Sequence, residues 1–131
     1  MDLKIEQPLK VQGYDIDVMG IVNNVVYLRW FEDLRMAFLD NMMPFSEMIA
    51  KGYSPVLVKT CIKYYKPLTI HDQPKGILTL TRLTRIRWSI TIDIKTGETV
   101  HCHGEQQGAF FHLKNHKIAK IPQEFMERTQ H

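Results

Sequence analysis

Only two of the 131 residues are cysteine, Cys61 and Cys102. A small secreted scaffold tied by disulfides needs more, so a reducing, cytoplasmic setting is expected. No apolar run approaches the ~20 residues of a bilayer span, and Met1–Pro8 is too polar and charged for a leader peptide. No membrane partner is therefore expected. Charge of one sign is also scarce: 17 Lys and Arg against 14 Asp and Glu leave a net charge of +3. Without a clustered basic patch that excess does not argue for nucleic acid, although it suits a small phosphorylated ligand. The chain has no Gly-x-Ser-x-Gly elbow, Gly-rich phosphate loop, Cys-x-x-Cys or His-Glu-x-x-His. These absences argue against a serine nucleophile, a phosphate cradle and the commoner zinc sites. No metal or redox cofactor is expected. Repeats, linkers and low-complexity segments are missing too.

What is present is a chain that is 44% hydrophobic, long enough for one core and one domain over residues 1–131. Leu9 to Tyr14 reads as a first strand, and residues 15–24 as a loop holding Asp15, Asp17 and Gly20. Asn23 or Asn24 is the expected N-cap of a helix from Val25 to about Asn41. Tyr27, Phe31, Leu34 and Phe38 fall on one face at helical spacing, widened by Leu28, Trp30, Ala37 and Leu39, so the helix should pack deep against a sheet. Pro44 ends it, and residues 45–51 add a helical turn before Gly52.

The period then changes to two. Ser54–Tyr65 alternates Val56, Val58, Thr60, Ile62 and Tyr64 against Leu57, Lys59, Cys61, Lys63 and Tyr65. Lys75–Arg85 and Ile86–Ile94 are further strands, the latter with Ile86, Trp88, Ile90, Ile92 and Ile94 on one side. After a Lys95–Glu98 hairpin, a long strand runs from Glu98 or Thr99 to Leu113, with Gly104 and Gly108 as expected bends. Pro122 opens a short terminal helix. No helix separates the later strands, so the fold class is α+β, with an antiparallel sheet of about five strands wrapped around a long central helix.

The chemistry concentrates at the loop before that helix. A carboxylate there lies beside free backbone N–H groups, which stabilise developing negative charge. An acid next to such an oxyanion site is a minimal kit for cleaving an acyl bond. Two readings of Asp17 compete: catalyst, or cap of its own glycine turn. Asp15 reads as structural, because two close buried acids repel and one should meet a donor. Glu32 is expected to pair with Arg29 or Arg35 on the helix. His101, His103 and Glu105 share a strand face if the alternation is regular, but their spacing is that of a strand surface rather than a zinc site.

The run Asp15-x-Asp17-x-x-Gly20-x-Val22-Asn23-Asn24-x-x-Tyr27, with Trp30-Phe31-Glu32 and Arg35 after it, resembles the 4-hydroxybenzoyl-CoA thioesterase-like family of hotdog-fold acyl-CoA thioesterases. Ile62-x-Tyr64-x-x-Pro67, Asp72, Gly104 and Lys120-Ile121-Pro122 extend the likeness over nearly the whole chain. The Asp15–Tyr27 run is also similar to acyl-ACP thioesterases. The resemblance implies Asp17 as nucleophile or general base, and a backbone N–H at or near Asn24 as oxyanion donor. It further implies an acyl-CoA substrate and a homodimer or homotetramer with its site at a subunit interface. Gly20, Asn23, Tyr27, Lys59 and Lys63 are the expected substrate-binding residues; Arg82, Arg85 and Arg87 are further candidates for contacting phosphate. Related chains carry His where this one has Ile21 or Asn24, so Asp17 has no obvious proton partner in sequence. Alternatives are a hotdog module that binds acyl-CoA without turnover and an enoyl-thioester hydratase, whose His would precede the helix.

Overall fold

The computed structural model describes residues 3–129. Met1 and Asp2, from the polar opening segment, lie outside the described residues. The first strand, β1, is Leu3–Pro8 rather than Leu9–Tyr14. Its alternation is short and half polar: Leu3 and Ile5 pack against the core while Lys4 and Glu6 stay exposed. Leu9 and Val11 are buried without strand pairing, and one 3₁₀ turn over Gly13–Asp15 leads into the loop.

The helix α1 runs Asn24–Met42, with Asn23 as its N-cap; the Asn23 side chain accepts a hydrogen bond from the Val25 N–H at 3.1 Å. Its buried face is Val26, Tyr27, Trp30, Phe31, Leu34, Phe38 and Leu39. Leu28 is exposed instead of joining that face. The turn after Pro44 is α2, Phe45–Ala50.

The remaining strands are β2 (Tyr53–Tyr64), β3 (Lys75–Leu83), β4 (Trp88–Thr96), β5 (Thr99–His112) and β6 (Lys117–Ala119). All pairings are antiparallel, in the order β1-β3-β4-β5-β2, with β6 beside the end of β5. The sheet thus has six strands rather than about five. Three-residue β6 is too short to leave a periodic signal. The terminal helix α3 spans Gln123–Arg128 behind Pro122.

A bulge corrects the alternation read for β2. In β2 the register slips between Leu57 and Lys59, so Val58 is extra and Leu57, opposite Gly108, joins the inner face. On β4, Trp88, Ile90, Ile92 and Ile94 are buried as expected, but Ile86 lies before the strand and is exposed.

The helix lies close against the sheet because glycine clears its path. A Cβ on Gly104 would sit 2.3 Å from Phe31 Cε2, and one on Gly76 would sit 2.6 Å from Leu34 Cδ1. Gly104 is thus a contact site rather than a bend. Phe31 and Leu34 are both fully buried, each contributing about 1.5–3 kcal/mol of apolar burial. At the far end, α2 and α3 are clasped by charge. Arg128 reaches Glu47 at 3.1 Å and Glu124 at 3.3 Å, while Lys51 pairs with Glu47 and Glu124.

Gly104→Ala should destabilise the fold by about 1–3 kcal/mol, the range for overpacking a filled core. In urea titrations, Phe31→Leu should recover part of that loss when combined with it, because the two positions are in contact.

Candidate active site

The loop between β1 and α1 is held by its own backbone. Ile16 and Val22 form an isolated antiparallel bridge; the Asp17 N–H donates to the Ile21 carbonyl at 2.9 Å and the Asn23 N–H to the Asp15 carbonyl at 2.9 Å. The Val22 N–H donates to the carbonyl of buried Leu68, tying the loop to the chain leaving β2. Gly20 closes the tip at φ +82°, a conformation that side chains resist.

Asp17 lies at the start of this tip and is partly exposed. Its Oδ1 accepts from the Met19 N–H at 2.8 Å and from the Ile21 N–H at 3.4 Å. Its Oδ2 has no hydrogen-bond partner among the described residues. One oxygen therefore holds the turn while the other is uncommitted, so the capping and chemical readings of Asp17 are compatible in geometry.

Asp15 is buried, and its carboxylate accepts from the Gln12 N–H at 2.8 Å and from Arg29 Nη2 at 3.3 Å. This settles how two acids coexist here: one is neutralised inside, the other faces out. Arg29 is thereby drawn away from Glu32, while Arg35 donates to Gln106 Oε1 at 2.5 Å. Glu32 makes no ion pair within the described residues, contrary to the helix-surface expectation. Burial lowers the Arg35 pKa, and the nearby Glu32 charge opposes the shift.

At the helix start, Asn24 occupies the first helical position. Its N–H has no acceptor among the described residues, and its carbonyl lies 3.5 Å from the Tyr64 hydroxyl. Tyr27 is buried one turn further on, edge-on to Trp30 and Tyr64. Burial, reinforced by Cys102, Tyr64 and Asp72, pushes its phenol up to about 12, so it stays neutral at working pH. Lys59 and Lys63 stand exposed on β2, pointing away from the helix. Arg82, Arg85 and Arg87 are exposed around the β3–β4 turn.

The two histidines do not share a face. The β4–β5 register slips between Ile94 and Lys95, which turns His101 inward. Its ring nitrogens meet Thr96 Oγ1 at 2.6 Å and the Lys66 carbonyl at 3.0 Å. His103 lies on the outer face, its Nδ1 2.6 Å from Asp93 Oδ1.

Among the described residues, two of the cavities bear on the site. One, about 330 Å³, borders Lys10, Tyr14, Asp15, Arg29 and Trp30 beside the loop. The other, about 360 Å³, lies between the middle of α1 and the sheet. Sequence patterns could not find the second, because its walls are the same apolar residues that read as core.

The Thioesterase-like superfamily matches residues 11–129, and the chain belongs to it. Its class is thus that of the hotdog-fold thioester hydrolases, as the helix wrapped by an antiparallel sheet also indicates. A putative esterase of Aquifex aeolicus (strain VF5) is 32% identical over 126 residues, covering 90% of this chain and 91% of that protein. The long-chain acyl-CoA thioesterase FadM of Escherichia coli (strain K12) is 35% identical over 77 residues, 59% of this chain and 55% of that one. The structure of BH1999 gentisyl-coenzyme A thioesterase superposes with a TM-score of 0.84 over 93% of this chain and 99% of its own, at 20% identity, a likeness of fold. No helix among the described residues is long and apolar enough to cross a membrane.

The segment leaving β2 carries its own pH signature. Asp72 Oδ2 accepts from the Thr69 N–H at 2.7 Å and from Thr69 Oγ1 at 3.1 Å, and the backbone hydrogen bond is the main cause of its lowered pKa. A lowered folded pKa adds stability that is complete above the ordinary value of about 3.9 and fades as pH falls through the folded value. Asp72→Asn should therefore lower Tm at pH 6–7, and the gap to wild type should close on acidification below about pH 3.9.

Proposed function

We propose that the protein hydrolyses the thioester of an acyl-coenzyme A to the free acid and coenzyme A, with Asp17 as the reacting carboxylate. The observation that carries this reading is the pairing of a half-committed acid with an unengaged amide. Asp17 leaves Oδ2 free, and Asn24 begins a 19-residue helix with its N–H free. The loop ladder holds Asp17 opposite Ile21, just ahead of the helix start.

In the proposed reaction the thioester carbonyl oxygen lies against the Asn24 N–H. The positive end of α1 then stabilises the oxyanion as it forms. Asp17 Oδ2 either attacks the carbonyl carbon, expelling the thiolate and leaving an anhydride that water opens, or takes a proton from water as the water attacks. Both routes give carboxylate and thiol. A thiolate leaves readily, so no strong general acid is required, which accommodates Ile21 and Asn24 where related chains carry His.

Asn23 supports the reading as the cap that fixes the first helical amides, and Gly20 as the residue that permits the tip. Tyr27 backs the helix start with a neutral, packed ring. Lys59 and Lys63 are proposed to meet coenzyme A phosphates, from this subunit or a partner. Exposed Tyr14, Val18 and Met19, all between β1 and α1, support a homo-oligomer whose interface covers the site. A reducing, cytoplasmic setting suits free Cys61 and Cys102.

Purified protein should release free thiol from members of an acyl-CoA panel, read with a thiol reagent. Asp17→Asn should cut kcat by about 10²–10⁴-fold, the usual contribution of a positioned acid–base group, with the fold intact by circular dichroism. Binding without release would favour a non-catalytic module, and release unchanged in Asp17→Asn would remove Asp17 from the mechanism.

A further inference from the structure

A cavity lies between α1 and the sheet. About 360 Å³ is open here, reaching the surface beside exposed Glu32 and Leu57. Its floor is apolar: Leu78, Leu80, Ile90, Phe110 and Phe125 line it and are all buried. Its polar lining is confined to Glu32, Arg35 and Ser54. Glu32 is exposed, and Arg35 and Ser54 are half-buried, so they mark the mouth. The far end is stopped by Phe45 from α2 and Phe125 from α3, the two helices clasped through Lys51, Glu47, Glu124 and Arg128.

We infer that this cavity receives the tail of a long, unbranched aliphatic acyl group, and that it selects such chains over aromatic ones. The inference rests on the thioesterase reading above and extends it to the substrate. The reach is set by α1. Asn24 and Glu32 are eight residues apart, about 12 Å along the axis at the helical rise. An extended chain gains about 1.2 Å per bond, so about ten bonds separate a carbonyl at Asn24 from the mouth. Carbons beyond that point enter the cavity. At the ~30 Å³ that a water-sized group fills in a liquid, there is room for about a dozen methylene-sized groups, more than a common fatty tail would bring. A benzoyl ring, joined directly to the carbonyl, is too short to reach the mouth and leaves this apolar floor unfilled. Arg35 is already committed to Gln106, and Gln106 Nε2 to Thr60 Oγ1 at 3.2 Å, so the mouth stays ordered as the tail passes.

The test uses two readouts. Thiol release is measured on straight-chain acyl-CoA substrates from C4 to C16 and on benzoyl-CoA. Separately, dodecanoate binding is measured by calorimetry, which needs no turnover; the free acid is not tethered at Asn24, so its whole chain can seat in the cavity with its carboxylate at the mouth. Wild type should show kcat/KM rising at least tenfold from C10 to C16, and should bind dodecanoate. Ile90→Phe, which fills the floor, should abolish both the rise and the binding, with the fold intact by circular dichroism. Leu78→Phe provides the same block if Ile90→Phe does not fold. Dodecanoate binding lost in these variants, with no thiol release from any substrate, would keep the cavity assignment and sink the hydrolase reading. Thiol release that is flat across chain length, with no dodecanoate bound by wild type, would overturn the cavity assignment and leave the hydrolase reading standing. The wild-type measurements decide the matter even if neither variant folds.

Discussion

The fold rests on one close approach: a long helix pressed onto a curved sheet at two positions where the sheet has no side chain. Phe31 fills the space above Gly104, and Leu34 the space above Gly76. These contacts fix the depth of α1, and the depth fixes what lies at each end. At the N-terminal end, the first helical amide emerges beside the Asp17 loop. Along its middle, the helix stands far enough from β3 and β4 to leave an open cavity. The same element thus supplies a positive helix end and an apolar wall, about 12 Å apart along one axis.

The loop is organised as a small hairpin whose strands are too short to register in sequence. Its ladder runs from the Asp15 carbonyl to the Asn23 N–H and from the Asp17 N–H to the Ile21 carbonyl. Burying Asp15 against Arg29 anchors one side; the Leu68 carbonyl anchors the other. Asp17 is left as the acid at the exposed end of a rigid turn. A carboxylate in that position needs little reorganisation to meet an electrophile, which is the condition under which fixed groups catalyse best.

The helix was legible because nineteen residues of 3.6-residue periodicity outweigh local noise, and its cap followed from Asn23. The buried Ile90–Ile94 face of β4 was legible for the same reason, as strict alternation. β1 was missed because Leu3–Pro8 holds only two apolar residues in alternation, while Leu9 and Val11 are buried by the loop rather than by pairing. The bulges at Val58 and His101 were invisible, since register is a relation between strands and alternation within one strand does not encode it. That slip is what separates His101 from His103. At the candidate site, the placing of Asp17 in the loop and of the helix start at Asn24 was readable from spacing and from family likeness. The Arg35–Gln106–Thr60 chain was not, because its partners are far apart in sequence. Glu32 was assigned a partner on local spacing that long-range contacts claimed instead.

The division of labour between the paired acids also bears on how screens of this protein should be read. Under the proposed mechanism, removing either carboxylate silences a colony assay, Asp17 by deleting the reactive oxygen and Asp15 by stranding a guanidinium and loosening the hairpin. The two defects would look identical by turnover alone. They part company in a melting curve, where loss of the buried, Arg29-paired Asp15 shows strongly and Asp17→Asn, which keeps the Oδ1 acceptor of the turn, shows little.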